Sequence, residues 1–311
     1  MLTERLNNMA KIVGIGANVF DTLYTIPTYP AEDTKMRAVS SKQAGGGPCA
    51  TGLVAAAKLG CDAQYLGVLS DDSGGIFLKS DFEKYGVDTS LIDIRSGYRS
   101  FASVLWLCAD SATRTCVFDK GDLPPLVLSD AQKSAIKTAS LLMVDGNEMD
   151  AACEGAKIAR ESGVPVLYDC GGLYEGVERL LALTDIMIPS EEFALGHTGE
   201  KTAEAAAKVL FEKYSPKVVV ITQGKRGGIL FDGNDIVSYP IYPAKVVDSN
   251  GSGDVFHGAF AAAITLGYDF EKCCHFSSAV SGLKCTGVGA RESVPSFEQV
   301  KKYMEENDYE L

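Results

Sequence analysis

From Ser129 onward, short apolar runs alternate with segments that have the apolar period of a helix. The runs occupy residues 141–144, 164–169, 185–188 and 217–222. Apolar runs separated by amphipathic helices are typical of parallel strands covered on both faces. The pattern predicts a three-layer α/β/α protein with a mostly parallel central sheet. Ligands of such sheets bind at the carboxyl ends of the strands.

The amino-terminal part of the chain does not follow this alternation. Residues 11–20 are predicted to form one strand, and the polar segment 24–44 contains prolines. A β-hairpin is predicted further on, from strands at residues 101–109 and 113–119. We expect segments 24–44 and 98–120 to form a small β lid over the strand ends of a single domain that spans residues 1–311.

The composition of the chain limits which partners it can bind and indicates the cellular compartment. The chain has 311 residues, a formal net charge of −12 and a pI of about 4.8, so nucleic acid and anionic membranes are poor partners. Nine cysteines occur without a Cys-x-x-Cys pair, and most lie in apolar runs. Free buried thiols favour a reducing compartment, and we expect a cytoplasmic protein. The three histidines have no metal-ligand spacing.

One stretch, residues 246–260, combines features that suit chemistry on an anion. A β-branched run meets the turn Gly251-Ser252-Gly253, and Asp254 then opens an alanine-rich helix pattern. Backbone N–H groups at such a helix start attract negative charge, and a carboxylate beside them can act as a base. Alternatively, Asp254 only matches the helix dipole. Transfer of a phosphoryl group to a hydroxyl needs both an anion cradle and a base.

Four motifs in order resemble the ribokinase-type (PfkB) carbohydrate kinase family over essentially the whole chain. They are Gly45-Gly46-Gly47-Pro48 with the following helix, Gly67 with Asp71-Asp72 and Gly75, Thr222-Gln223-Gly224-Lys225-Arg226-Gly227-Gly228, and the stretch 247–254. The resemblance implies a ribokinase-like fold and an ATP-dependent kinase that phosphorylates a sugar hydroxyl with the help of Mg²⁺. Within the family, the motifs look closest to a sulfofructose-kinase-like branch.

The resemblance also implies roles for individual residues. Asp254 would be the general base, and the amides of Gly251, Ser252 and Gly253 would form the anion hole. The residues that the resemblance implies for substrate binding are Asp21, Gly46 and Gly47. Asn147 is a further candidate, because it follows the predicted strand 141–144 at its carboxyl end. Arg99 on the lid is a candidate to hold a sulfonate group of the substrate. Residues implied to line the nucleotide are Thr222, Gly224, Gly227 and Ser278. Asp21 could instead be a turn residue, and Asn147 could belong to a solvated loop.

Some positions depart from the family pattern. Ala50 stands where an Asn often contacts the sugar, and Ser190-Glu191-Glu192-Phe193 replaces the usual Asn-x-x-Glu of the magnesium network. Glu191 could still reach Mg²⁺ through water, because this ion keeps several waters. Asp248 is the implied site of a monovalent cation such as K⁺, but the residues after it also differ from the pattern.

Two other functions are compatible with parts of the sequence. A catalytically silent sugar- or nucleotide-binding protein on the same fold would explain the altered stretch 190–193, whereas the intact turn before Asp254 opposes it. A dinucleotide-dependent dehydrogenase is suggested only by Gly14-x-Gly16, which lacks the third glycine. We also expect a homodimer through the β lid, because exposed lid strands need cover.

Overall fold

The computed structural model describes residues 10–111 and 113–309. An eight-stranded sheet runs through its centre, with neighbouring strands in the order β14 (Ile236–Tyr239), β13 (Gly228–Phe231), β12 (Val218–Thr222), β11 (Ile186–Pro189), β10 (Val166–Cys170), β9 (Leu141–Val144), β1 (Lys11–Ile15) and β4 (Asp62–Tyr65). The strands from β12 to β4 are parallel, and β13 and β14 form an antiparallel hairpin at one edge. The predicted mostly parallel sheet is confirmed.

Helices cover both faces of this sheet. In the part of the chain that the structure describes, they are α1 (Pro48–Lys58), α2 (Ser73–Lys84), α3 (Asp130–Lys137), α4 (Met149–Glu161), α5 (Val177–Leu181), α6 (Glu191–Thr198), α7 (Ala203–Tyr214), α8 (Ser252–Thr265), α9 (Phe270–Lys284) and α10 (Phe297–Glu305). Successive strand residues face opposite sides, so Ile12 joins the core under α1, α8, α9 and α10, whereas Val13 joins the core under the helices from α3 to α7.

A second sheet of four strands stands beside the first. Its order is β3 (Ser40–Gly46), β2 (Val19–Ile26), β7 (Ala102–Cys108) and β8 (Thr113–Asp119). It contains strands from both predicted lid segments, and we call it the lid sheet. The predicted hairpin turn covers residues 110–112, of which Ala112 lies outside the described residues. A further short parallel pair joins β5 (Val68–Ser70) to β6 (Asp93–Arg95).

The prediction of one strand over residues 11–20 is wrong. Strand β1 ends at Ile15, and the chain enters the lid sheet at Val19. The cause is the buried carboxylate of Asp145, which occupies the space that a side chain at Gly16 would need and accepts a hydrogen bond from the Ala17 N–H at 2.8 Å. Because Gly14 packs in the same way against Leu53, packing explains both glycines without a dinucleotide.

Helices α1 and α8 pack unusually closely. A methyl group at Gly258 would overlap the carbonyl of Gly52, so the two backbones meet without intervening side chains. This contact places the first turns of α1 and α8 side by side at the carboxyl edge of the sheet.

The cysteines and the helices carry two further features of the fold. All nine cysteines, each within the described part of the chain, are free thiols. Among the described residues, no helix is both long enough and apolar enough to span a bilayer.

Candidate active site

The first turn of α8 has backbone donors without protein acceptors. Gly251 precedes the helix in the left-handed conformation, with φ of 73°, and no side chain caps the helix start. Within the described chain, the N–H groups of Gly253 and Asp254 have no acceptor, as expected for a first helical turn. A side chain at Gly253 would project into open space. The turn therefore presents free amides to a site open to solvent.

The Ser252 amide does not belong to this set. Its N–H donates to the Ser249 carbonyl at 3.2 Å and so closes the turn that leads into the helix. This corrects the expectation that the amides of Gly251, Ser252 and Gly253 all face the ligand. The Asp254 amide is the donor that the sequence argument missed, although any first-turn position could have been suspected from helix geometry.

Asp254 is partly exposed at the same open end. Desolvation raises the pKa of its carboxyl, and the neighbouring Asp145 carboxylate raises it further. The positive charges of His257, Arg114 and Arg291 oppose this rise. A raised pKa makes a carboxylate a stronger base toward the proton of a hydroxyl.

His257 connects the first turn of α8 to the strand ends behind it. Its Nδ1 lies 2.6 Å from the Gly253 carbonyl oxygen and 3.2 Å from the Asp169 carboxylate, and its Nε2 lies 3.0 Å from the Ile188 carbonyl oxygen. Both ring nitrogens thus face acceptors. The charge of His257 lowers the pKa of Asp169, which burial raises.

Asp21 lies at the base of the lid sheet. One carboxylate oxygen accepts a hydrogen bond from the Ser103 hydroxyl at 2.6 Å, and the other stands where a side chain at Gly46 would be. Burial raises the pKa of Asp21 to about 6, the Ser103 hydrogen bond and the charge of Arg291 lower it, and the nearby Asp254 carboxylate raises it. The two carboxyls are therefore close enough to influence each other.

Arg291 is a buried cation that the sequence argument missed. Its guanidinium fills the space beside Gly45 and donates to Asp81 at 2.6 Å, to the Asn18 side-chain oxygen at 2.9 Å and to the Gly46 carbonyl at 2.7 Å. Because Arg291 binds the side-chain oxygen of Asn18, the amide nitrogen Nδ2 points the other way. This nitrogen is buried and has no protein acceptor, and Asn18 lines the neighbouring cavity. No local pattern marks an arginine near the end of a chain as buried.

The glycines before α1 allow the backbone to approach the end of β1. Gly47 has φ of 94°, and a side chain there would overlap the Ala17 carbonyl. Asp145 joins the same two segments, because one oxygen accepts from the Ala17 N–H at 2.8 Å and from the Cys49 N–H at 3.0 Å. Its buried carboxylate therefore organises the site from behind.

A cavity of about 340 Å³ adjoins Asn18 and the base of the lid. Its polar lining includes Lys120, Asn147 and Glu148. Asn147 is held by Asp145, which accepts its backbone N–H at 2.9 Å and its side-chain amide at 3.2 Å. The size and the few convergent polar groups are typical of a small-molecule site.

Arg99 does not point into this cavity. Its guanidinium is bound by Asp119 at 2.8 Å and by Asp122 at 3.2 Å, and its side chain is 64% exposed. This corrects the expectation of a substrate contact, because two carboxylates already neutralise the group on the outside of the lid base.

The loop after β12 follows the end of a parallel strand at the same edge of the sheet. Thr222 ends the strand, and the backbone turns tightly through Gly224 and Gly227, with φ of 57° and 81°. A side chain at Gly227 would overlap the Tyr239 carbonyl, whereas the space beside Gly224 is open. One side of this loop is therefore open, and its role toward a nucleotide stays a prediction.

Glu191 is joined to that loop. One carboxylate oxygen accepts from the Gln223 side chain at 2.8 Å, and the other pairs with Arg226. The described residues contain no cluster of three or more His, Cys, Asp or Glu side chains that could hold a metal by themselves. Because both carboxylate oxygens of Glu191 already have protein partners, we expect it to contact a metal ion only through a bridging water.

Ser278 lies on α9, against the segment that follows β14. It is buried, and its hydroxyl donates to the Pro240 carbonyl at 2.7 Å. The hydroxyl thereby supports the segment after β14, and the expected contact of Ser278 with adenine stays a prediction.

The structure thus brings together most of the predicted site residues. Asp21, Gly46 and Gly47 lie close to the first turn of α8, and Asn147 lies in the adjoining cavity. The loop with Thr222, Gly224 and Gly227 follows a parallel strand that ends at the same edge of the sheet. His257, Arg291 and Asn18 are additions from the structure.

Comparison with known proteins shows which family the chain resembles over its length. The profile of the pfkB family carbohydrate kinases matches residues 9–296. The bifunctional ribokinase/ribose-5-phosphate isomerase A of Fructilactobacillus sanfranciscensis is 29% identical over 94% of this chain, which spans 56% of that longer protein. The ribokinase of Arabidopsis thaliana is 27% identical over 94% of this chain and 80% of its own.

A solved structure extends the likeness to three dimensions. The Arabidopsis thaliana ribokinase complexed with ribose and ATP superposes with a TM-score of 0.86 at 26% identity, over 96% of this chain and 99% of that one. Since the family profile covers nearly the whole chain, the resemblance drawn from the motifs is confirmed. The chain belongs to the pfkB family of carbohydrate kinases, enzymes that transfer a phosphoryl group to a sugar hydroxyl.

Proposed function

We propose that the protein transfers the γ-phosphoryl group of ATP to a hydroxyl of a small sugar, with Asp254 as the general base. The observation that carries the proposal is the first turn of α8, where a half-buried carboxylate and free amides share one open site. A base beside an anion cradle is what this reaction needs.

In the reaction, the sugar hydroxyl oxygen forms a bond to the γ-phosphorus while Asp254 takes the hydroxyl proton. The bond between the γ-phosphorus and the bridging oxygen breaks, and ADP leaves. The amides of Gly251, Gly253 and Asp254 stabilise the charge on the transferring phosphoryl oxygens. His257 holds the turn in place through the Gly253 carbonyl.

The sugar would lie between the lid base and the cavity beside β1 and β9. Asp21 can accept hydrogen bonds from sugar hydroxyls, because one of its oxygens has no donor within the described protein. Gly46 and Gly47 let the backbone approach closely, and the free Nδ2 of Asn18 and the side chain of Asn147 supply further polar contacts. A sulfonated sugar is not part of the proposal, because Arg99 is already paired.

ATP would lie along the open side of the loop that contains Thr222, Gly224 and Gly227. Magnesium would partly neutralise the ATP phosphates. Glu191 would contact this ion through a bridging water, because Gln223 and Arg226 already bind the two oxygens of its carboxylate.

We also propose a homodimer formed through the lid sheet. Tyr24 and Trp106 are paired neighbours on its outer face, as are Val104 and Val117, and all four are exposed. Apolar side chains beside the open strand edges of β3 and β8 favour cover by a second copy.

The function is tested by incubating the purified protein with ATP and Mg²⁺ and a panel of ketoses and aldoses, with ADP release as the readout. We expect at least one monosaccharide to stimulate release clearly above the sugar-free rate. A panel that binds calorimetrically without stimulating ADP release would contradict the kinase assignment for those sugars.

A further inference from the structure

Lys284 is an ammonium group buried beneath the loop that leads into the active-site turn. It belongs to the last turn of α9, and its side chain is 0% exposed. Its Nζ donates to the carbonyl oxygen of Asp248 at 2.8 Å. A buried cation is costly unless oxygen atoms and negative charges surround it, so its presence calls for a reason.

The surroundings of Lys284 are suited to a positive charge. The last carbonyls of α9 carry the negative end of the helix dipole. Desolvation lowers the pKa of Lys284, and the charges of Asp248, Asp254 and Glu292 oppose that change. The effect of Asp254 shows that the ammonium lies within electrostatic range of the proposed base.

The oxygens of Asp248 are all engaged by the protein. One carboxylate oxygen accepts from the Asn250 N–H at 2.8 Å, the other accepts from the Gly289 N–H at 2.8 Å, and the carbonyl accepts from Lys284. The Val247 N–H donates in turn to the Cys285 carbonyl at 2.7 Å. These bonds fix the loop 247–250 on the end of α9 and on the segment after it.

This arrangement does not fit the monovalent metal ion expected beside Asp248. Such an ion would take carbonyl and carboxylate oxygens as ligands, and here backbone N–H groups and an ammonium already use them. Two positive charges at the Asp248 carbonyl would also repel each other.

We propose that the Lys284 ammonium is a built-in cation that positions the loop 248–251 at the phosphoryl-binding turn, so that the enzyme works without a monovalent metal ion. The activity part of this inference rests on the proposed kinase function. Lys284 acts through the loop and is a positioning residue. A fixed ammonium cannot dissociate, whereas a metal ion would make the turn depend on its concentration.

The first test compares steady-state kinetics in potassium chloride and in tetramethylammonium chloride at equal ionic strength. For the wild type, we expect kcat/KM to agree within about two-fold, since tetramethylammonium is too large to enter an oxygen-lined site. A wild-type enzyme that loses its activity without K⁺ would overturn the proposal.

The second test removes the ammonium. Lys284→Ala should lower kcat/KM by about 10-fold or more, as expected for a lost hydrogen bond from a charged group. K⁺ or methylammonium should restore part of the loss, whereas tetramethylammonium should not. Lys272→Ala changes a half-buried lysine in the first turn of the same helix, far from Asp248, and should behave as the wild type. Unchanged kinetics of Lys284→Ala would overturn the proposal.

A third readout does not depend on catalysis. We expect the Tm of the wild type to be the same in K⁺ as in tetramethylammonium. The Tm of Lys284→Ala should be higher in K⁺ than in tetramethylammonium. If no sugar is phosphorylated, this comparison still decides the role of Lys284, while the kinase proposal fails separately. If Lys284→Ala does not fold, Lys284→Met keeps the length without the charge. Should neither variant fold, ion dependence of the wild-type Tm overturns the proposal and its absence supports it.

Discussion

At the scale of single residues, the chemistry of the site depends on two carboxylates with different surroundings. Asp254 stands at a helix start among the charges of His257, Arg114 and Arg291, whereas Asp21 is buried beside Ser103 at the lid base. The first arrangement suits a base, and the second suits an acceptor for sugar hydroxyls.

Asp21 predicts a pH dependence of sugar binding. Its raised pKa of about 6 means that the carboxyl becomes protonated as the pH falls through 6 and then loses capacity as an acceptor. KM for the sugar should therefore rise below pH 6. Asp21→Asn should raise KM by about 10-fold or more at pH 7.5 and leave little pH dependence. Initial rates between pH 5 and 8 measure both effects, with the surface variant Asp93→Asn as control. A wild-type KM that stays constant over this range would contradict the assignment.

His257 predicts a shift in the acid limb of the rate profile. Its charge lowers the pKa of Asp254, so His257→Gln, which removes the charge but keeps an amide, should raise that pKa. The acid limb of kcat/KM then moves to higher pH. His275→Gln serves as a control, because His275 lies on α9 and is hydrogen-bonded to Tyr242. An unmoved acid limb would show that His257 has only a packing role.

The sequence could predict the carboxylates but not their partners. Asp21 comes shortly after the first apolar run of the sequence, and Asp254 follows a glycine turn, so both stand at positions with a recognisable pattern. Lys284 and Arg291 look like ordinary surface charges near the end of a chain, and only the fold shows that they are buried. The prediction that Arg99 contacts the substrate was wrong for the opposite reason. The lid geometry brings Asp119 and Asp122 to its guanidinium, and no local pattern indicates this pairing.

At the scale of secondary-structure elements, the site depends on the contact between α1 and α8. Both helices bring their first turns to the strand ends, and Gly52 and Gly258 allow their backbones to touch. Any widening of this contact would separate the glycines before α1 from Asp254.

Gly258→Ala should therefore reduce stability. The added methyl group overlaps the Gly52 carbonyl, which is backbone and cannot rotate away, so the free energy of unfolding should fall by about 1–3 kcal/mol or more. Gly282→Ala on α9 is the matched control, since its methyl group would meet only the Tyr242 carbonyl at 3.5 Å. That change should be neutral or stabilising, because alanine favours helix. Denaturant unfolding measures both, and equal stabilities of the two variants would argue against the close-contact account.

The element pattern was predictable where strands and helices alternate, from Ser129 to Thr222. It was not predictable at Gly16, where the chain leaves one sheet for another. That turn is imposed by Asp145, which lies far along the sequence, and a local pattern contains no trace of it.

At the scale of the whole molecule, the lid sheet has an outer face with several exposed apolar side chains. Its outer face exposes Trp106 and Val117, at 37% and 63%. The predicted homodimer would bury this face, and the organisation of residues 1–311 as a single domain likewise stays a prediction.

Trp106→Glu should weaken the proposed dimer, because a charge on an apolar interface must be desolvated. Sedimentation velocity at micromolar concentration should give a dimer for the wild type and a larger monomer fraction for the variant. Trp106→Phe, which keeps an apolar ring, should remain dimeric. A monomeric wild type would contradict the proposal.

The central claim is that Asp254 removes the proton from the sugar hydroxyl. It is tested most directly by the sugar-stimulated turnover of Asp254→Asn, measured as ADP release with a sugar that the wild type accepts. The account predicts that turnover falls by about 10²-fold or more, while the Tm and the affinity for ATP stay near those of the wild type. Wild-type turnover by Asp254→Asn would contradict it.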